Sequence, residues 1–263
     1  LVATTPAAFQ ELLQRARNNL EELKRQQDLA TGKKQAIAPD DRSYLNTSDP
    51  NTPLRRSVVR LWATFSGGPL LGTGFVVLRQ GDRAWIATAR HVVFAPNTNA
   101  PPTKLEAEIY SGTLPANLTT ARLSVALPSA AQSDASSGDD LILLEVKGLP
   151  ADMAPLPLAS DPPQGTLKVV GHHIVNQPWL VVAVKVVAEL FDPAAKLFRL
   201  SGTLSEGASG APVLDGRDRV VGLVRSRTQI DDNLFVVSAY RTAALQAKMT
   251  QTVPPAHGSR SAP

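Results

Sequence analysis

An all-β fold, a sandwich or a set of barrels behind one N-terminal helix, is what the sequence predicts, and three observations predict it. From Ser57 onward, short apolar runs are interrupted by Gly, Pro, Asn and Asp. Within them apolar and polar residues alternate, the period of a strand with one buried face. No helical pattern separates the runs, as a parallel sheet with crossover helices would need. A chain of 263 residues can bury a core in one or two compact units.

The exception to the β pattern comes first. Residues 1–32 are expected to hold a helix over 4–30, with Thr5 as cap, Pro6 at its first turn and Gly32 as its stop. Its apolar residues Phe9, Leu13, Ala16, Leu20 and Leu23 alternate by four and three, a narrow seam of period 3.5. The seam is expected to dock on the protein's own surface; the alternative is pairing with a protein partner or a second copy. Residues 33–56 are polar and turn-rich (Ala38-Pro39-Asp40-Asp41, Asp49-Pro50-Asn51-Thr52-Pro53) and read as a linker or an extended wrap.

Residues 57–249 form the β unit, in two halves at about 57–148 and 155–240. In the first, Val59, Leu61, Ala63 and Phe65 alternate along one strand. Gly74 to Leu78 and Ala84 to Thr88 flank a hairpin, and Leu105 to Tyr110, Leu123 to Leu127 and Leu141 to Val146 follow. The second half runs through Leu167 to Gly171, Trp179 to Leu190, Lys196 to Leu200, Pro212 to Leu214, Val220 to Arg225 and Leu234 to Ser238. Ala239 to Met249 reads as a short terminal helix, and 250–263 as a disordered tail.

Composition excludes several classes. The longest apolar candidate for a membrane span, Leu180 to Leu190, is broken by Lys185. A net charge of +4 gives little support for nucleic-acid binding. Zero cysteines rule out a thiol nucleophile and a disulfide framework. Both a cytoplasmic protein and an exported one whose signal has been removed fit this, and the compartment stays open. His172 and His173 have no further ligands at metal-site spacing, so neither a metal nor another cofactor is expected.

The chemistry concentrates in Glu206-Gly207-Ala208-Ser209-Gly210-Ala211-Pro212. A serine hydroxyl attacks a carbonyl only when a base takes its proton and fixed donors meet the oxyanion. Taken alone, the string also suits a surface turn feeding Pro212 to Leu214. Upstream, Thr88-Ala89-Arg90-His91-Val92 ends an apolar run in a lone histidine, and Asp139-Asp140 opens the run Leu141-Ile142-Leu143-Leu144. The order is His91, Asp140, Ser209. An α/β-hydrolase elbow needs glycine where Ala211 stands and a histidine after the serine, and here the only one is His257 in the tail.

With Gly72-Thr73-Gly74-Phe75, these strings resemble the trypsin/chymotrypsin-like serine peptidases, most closely their short bacterial and HtrA-like branches. The resemblance covers roughly residues 57 to 245. It implies two six-stranded antiparallel β-barrels, chymotrypsin-like, with His91 and Asp140 on the first and Ser209 on the second. The activity implied is a serine endopeptidase that hydrolyses peptide bonds of a polypeptide substrate through an acyl-enzyme, with His91 as base and Asp140 as its orienter. The match favours Asp140 over Asp139. It also implies an oxyanion hole from the N–H groups of Gly207 and Ser209, and places Thr203 at the floor of the primary pocket. Glu206 is then at its rim, and Arg225 and Arg227 lie on one face of a substrate-lining strand. These four signals disagree on charge, so no cleavage preference follows. Ala208 stands where trypsin-type zymogens carry a pairing aspartate, so activation by a freed N-terminus is not expected. The helix is expected to regulate or tether the enzyme; the alternative function is a catalytically silent, protease-like binding module.

Overall fold

A computed structural model describes residues 6–95, 98–128, 140–160, 162–172, 178–187, 196–202, 204, 207–229 and 235–253. Along the first half run α1 (Pro6–Ala30), β1 (Gln35–Ile37), α2 (Thr52–Arg56), β2 (Val58–Phe65), β3 (Gly68–Gln80), β4 (Arg83–Ala89) and the one-turn α3 (Arg90–Val93). Then come β5 (Lys104–Ile109), β6 (Leu118–Thr120), β7 (Leu123–Ser124) and β8 (Leu141–Lys147). The second half holds β9 (Thr166–Gly171), β10 (Leu180–Val186), β11 (Leu197–Ser201), β12 (Pro212–Leu214), β13 (Val220–Gln229), β14 (Phe235–Arg241) and α4 (Thr242–Thr252).

Strands β9 to β14 close into a six-stranded antiparallel barrel in the order β10-β11-β14-β13-β12-β9. The first half is also six-stranded, in the order β7-β5-β2-β3-β4-β8. Among the described residues its two edges meet through one antiparallel bridge from Ala126, just past β7, to Glu145 on β8, so this half is nearly closed. The cause is the shortness of β7, which spans two residues.

Strand β3 is longer than the expected Gly74 to Leu78. Its first half carries Gly68, Pro69, Gly72 and Gly74, which in a sequence signal a turn. Here two of these glycines are required by close packing: a Cβ on Gly72 would lie 2.4 Å from Val92 Cγ1, and one on Gly74 2.5 Å from Ile86 Cγ2. The β3–β4 hairpin pairs Gln80 with Arg83, leaving the two-residue connection Gly81-Asp82, with Gly81 at φ 62°. Val59, Leu61, Phe75, Ile86 and Leu143 fill the first core, and Val169, Phe198, Leu200, Val213 and Ala239 the second. The closing helix starts at Thr242 rather than Ala239, because Ala239 and Tyr240 are still paired to β11 and β13.

Residues 33–56 wrap the first half. Strand β1 pairs in parallel with β6. Arg56, 2% exposed, ends the wrap. Its Nε and Nη2 donate to the two carboxylate oxygens of Asp152 at 3.0 and 2.8 Å, and its Nη1 to the Tyr110 carbonyl at 2.6 Å. Burial pushes the Asp152 carboxyl up, but the hydrogen bonds and charge of Arg56, with the charge of Arg42, more than offset this and hold it below the usual range.

Helix α1 overturns the expectation that its seam docks. Phe9, Leu20 and Leu23 face solvent, as does Leu12, at 54, 68, 63 and 59% exposure. The helix binds by its other side. Asn18 Nδ2 donates to the Pro69 carbonyl at 3.1 Å, Arg60 grips Glu21 with two bonds of 2.9 and 3.0 Å, and Arg122 Nη1 meets Glu22 at 2.6 Å. The reason lies in the surface beneath. Trp62, 1% exposed, is sandwiched between the guanidiniums of Arg60 and Arg122, at 4.5 and 3.6 Å from its ring, and donates Nε1–H to Glu108 at 2.9 Å. That cationic face selects the acidic side of the helix. The expected cap Thr5 lies outside the described residues.

Burial of Glu22 raises its pKa, yet the Arg122 charge and the bonds from Gln26 and Arg122 outweigh this and hold it below its ordinary 4.5. A carboxyl lowered in the docked state stabilises docking fully above its ordinary value, and the contribution is lost as pH falls through the lowered one. Hydrogen exchange is therefore expected to show α1 less protected at pH 3 than at pH 7, by more than the barrel strands lose. Equal protection of α1 at both pH values would contradict an electrostatic dock.

Candidate active site

Strands β4 and β8 pair up to Ala89 and Leu141. Beyond that pair, β4 turns into α3 while β8 is preceded by Asp140, so the register sets His91 and Asp140 face to face. The contact is two-pronged. The His91 backbone N–H donates to Asp140 Oδ1 at 2.8 Å, and His91 Nδ1 lies 2.6 Å from Oδ2. A carboxylate only accepts, so this geometry puts the ring proton on Nδ1 and leaves Nε2 free to act as a base. The Arg90 N–H donates to the Asp140 carbonyl at 3.2 Å. From the second barrel, Tyr240 Oη accepts the Asp140 N–H at 2.7 Å. Asp139 lies outside the described residues.

Ser209 sits in a turn between two glycines of positive φ, Gly207 at 96° and Gly210 at 85°. Both glycines are required sterically. A Cβ on Gly207 would come within 2.2 Å of the His172 carbonyl oxygen; one on Gly210 would come within 2.1 Å of the Thr73 carbonyl oxygen and 3.0 Å of the Ala89 nitrogen. The serine turn is thus pressed against the end of β4 from which His91 hangs.

Thr73 fastens that contact. Its N–H donates to the Ser209 carbonyl at 2.9 Å, and its hydroxyl donates to the Gly207 carbonyl at 2.7 Å while accepting the His172 N–H at 3.2 Å. The Thr88 hydroxyl in turn donates to the Thr73 carbonyl at 2.7 Å. His172 is buried edge-on against Trp179 and accepts the Trp179 N–H on Nδ1 at 3.2 Å. This packing occupies the ring in the interface between the halves. No cluster of metal-ligating side chains exists among the described residues.

Ala208 is 3% exposed and belongs to the second apolar core, where a carboxylate would be buried without water. The Arg225 side chain is 39% exposed, and its Nε is 3.8 Å from Asp140 Oδ2. It is the extra residue of a bulge, since Val224 pairs with Ala239 and Ser226 with Ser238, and the strict alternation relating it to Arg227 is broken there. Thr203 and Glu206 lie outside the described residues, as does the side chain of Arg227. Sequence reasoning missed Thr73, Tyr240 and Trp179 as parts of the site. Thr73 stood inside a recognised string, but a tyrosine at a strand end carries no comparable signal.

A family profile described as a trypsin-like peptidase domain matches residues 72–223, more than half of the chain. Among solved structures, the active form of the Rv3671c protease from M. tuberculosis is similar at a TM-score of 0.55 and 18% identity, covering 84% of this chain and 96% of that one. Its inactive form gives 0.53 and 19%, covering 78% and 97%. A serine endoprotease from Yersinia pestis gives 0.57 and 17%, covering 79% and 68%. At such identities the likeness is one of fold. No curated protein matches the sequence.

Replacing Thr73 with valine keeps the side chain's shape and removes its hydroxyl, and with it the bonds to the Gly207 carbonyl and the His172 N–H. Urea denaturation of Thr73→Val is expected to show a loss of about 1–3 kcal/mol, whereas Thr73→Ser stays close to the parent. An unchanged midpoint for the valine variant would show that these bonds do not hold the turn.

Proposed function

Because this chain belongs to the trypsin-like peptidase family, we propose that it is a serine endopeptidase acting through a His91, Asp140 and Ser209 triad and an acyl-enzyme. The observation that carries the reading is the two-pronged His91–Asp140 bond. Asp140 sets the imidazole tautomer and stabilises the imidazolium that forms as His91 takes the Ser209 proton. Ser209 Oγ adds to the scissile carbonyl carbon; His91 then returns the proton to the leaving amine, and the amine departs to give the ester. Water, deprotonated by the same His91, releases the acid product and restores Ser209. The developing oxyanion falls to the N–H groups of Gly207 and Ser209. Thr73 secures that turn through its carbonyl oxygens, not its N–H groups, which suits such a role. The substrate is a polypeptide, with no cleavage preference assigned.

A fluorophosphonate probe is expected to label the wild type and not Ser209→Ala, and Asp140→Asn is expected to lower kcat by about 10⁴. A folded wild type that stays unlabelled would favour a silent protease-like binding module instead.

The exposed stripe of α1 supports a second element of this reading: the helix tethers the enzyme, and its occupant is a second copy of the chain. The seam's period of 3.5 is that of paired helices. Light scattering on a sizing column is expected to give a dimer for the wild type and a monomer for Leu20→Gln combined with Leu23→Gln. A monomeric wild type would end the self-association reading.

A further inference from the structure

Arg225 is placed by the fold where the proposed mechanism has no use for it. It is an extra residue in the β13–β14 ladder, and such bulges redirect a side chain at some cost to pairing. What it is redirected to is the acid of the proposed triad, at 3.8 Å from Nε to Oδ2. Among the described residues its Nε is buried without a hydrogen-bond partner. A buried, unpaired guanidinium N–H is costly, so a bond it can complete by a small movement is a strong local bias.

The acceptor has the capacity. Asp140 Oδ1 takes the His91 N–H and Oδ2 takes Nδ1, leaving lone pairs on both oxygens. Both bonds now made come from one residue, on the same half of the molecule as Asp140 itself. Arg225 approaches from the other barrel, as does Tyr240, whose hydroxyl holds the Asp140 backbone. Catalytic hydrogen bonds that are long in the free enzyme commonly shorten when substrate closes the site.

We infer that Arg225 is a positioning residue for Asp140: its Nε–H completes the carboxylate's bonding from the second barrel and ties the orientation of His91 to the barrel that carries Ser209. The inference rests on the triad reading above. It also competes with a different role for the same side chain, the recognition of an acidic residue in the substrate.

The test is a kinetic split. Arg225→Gln and Arg225→Lys are assayed on two sets of fluorogenic peptides, one carrying acidic residues around the cleaved bond and one carrying none, with melting temperature as the control for folding. A positioning role predicts that Arg225→Gln lowers kcat about tenfold on both sets with KM unchanged, and that Arg225→Lys recovers part of the loss. A KM increase confined to acidic peptides would overturn the inference in favour of substrate recognition. Parent-like kinetics in Arg225→Gln would also overturn it, while fluorophosphonate labelling of the wild type shows that the triad reading still stands. A wild type that does not label removes both.

Discussion

Everything catalytic in this molecule depends on how one half is clasped to the other, and at the serine turn the clasp is centred on one buried threonine. Thr73 lies on β3 of the first half, yet three of its hydrogen bonds run to residues of the second: Ser209, Gly207 and His172. Serine and histidine come from different sheets, so their separation is set by the interface and not by either fold alone. Gly210 completes the constraint from the other side, since its missing Cβ is what admits the Thr73 carbonyl. The region tolerates neither a wider gap, which strands buried polar groups, nor a bulkier turn, which clashes.

A second organising interaction works on the outer face. Trp62 and its two flanking arginines make a patch that is cationic and well packed at once, with Glu106 and Glu108 beneath it. Arg122 is buried enough that desolvation pulls its pKa down, although Glu108 and Glu22 oppose this. A helix bringing Glu21 and Glu22 relieves that cost, and does so with its polar side. The apolar stripe therefore ends up outward as a result of electrostatics.

Much of this was legible in the chain. Strand positions followed from alternation, and the His91–Asp140 contact came from strings whose chemistry demands particular side chains, His91 after a buried strand and Asp140 before another; Ser209 was read in its turn between glycines. Other features hid for identifiable reasons. Glycines that serve close packing in β3 look like turn signals. The seam of α1 shows where apolar residues lie, but the partner surface is assembled from β2, β3 and the segment around Arg122, which are distant from the helix in sequence. A bulge such as that at Arg225 leaves no mark in the residue pattern, because it is defined by the partner strand. Tyr240 acts through a hydroxyl that reaches a backbone N–H a hundred residues away.

The Arg56–Asp152 pair gives the first half an unusual status. One partner precedes β2 and the other follows β8, so the pair joins the two ends of that unit at its neck. A segment whose ends already meet has the topology of an inserted domain, and its boundary runs through the wrap instead of at the first strand. Cutting the chain at Ser57 would leave Asp152 without its main cation. The smallest piece that keeps the first half intact thus begins upstream of α2, within the stretch that the sequence presents as a linker or an extended wrap.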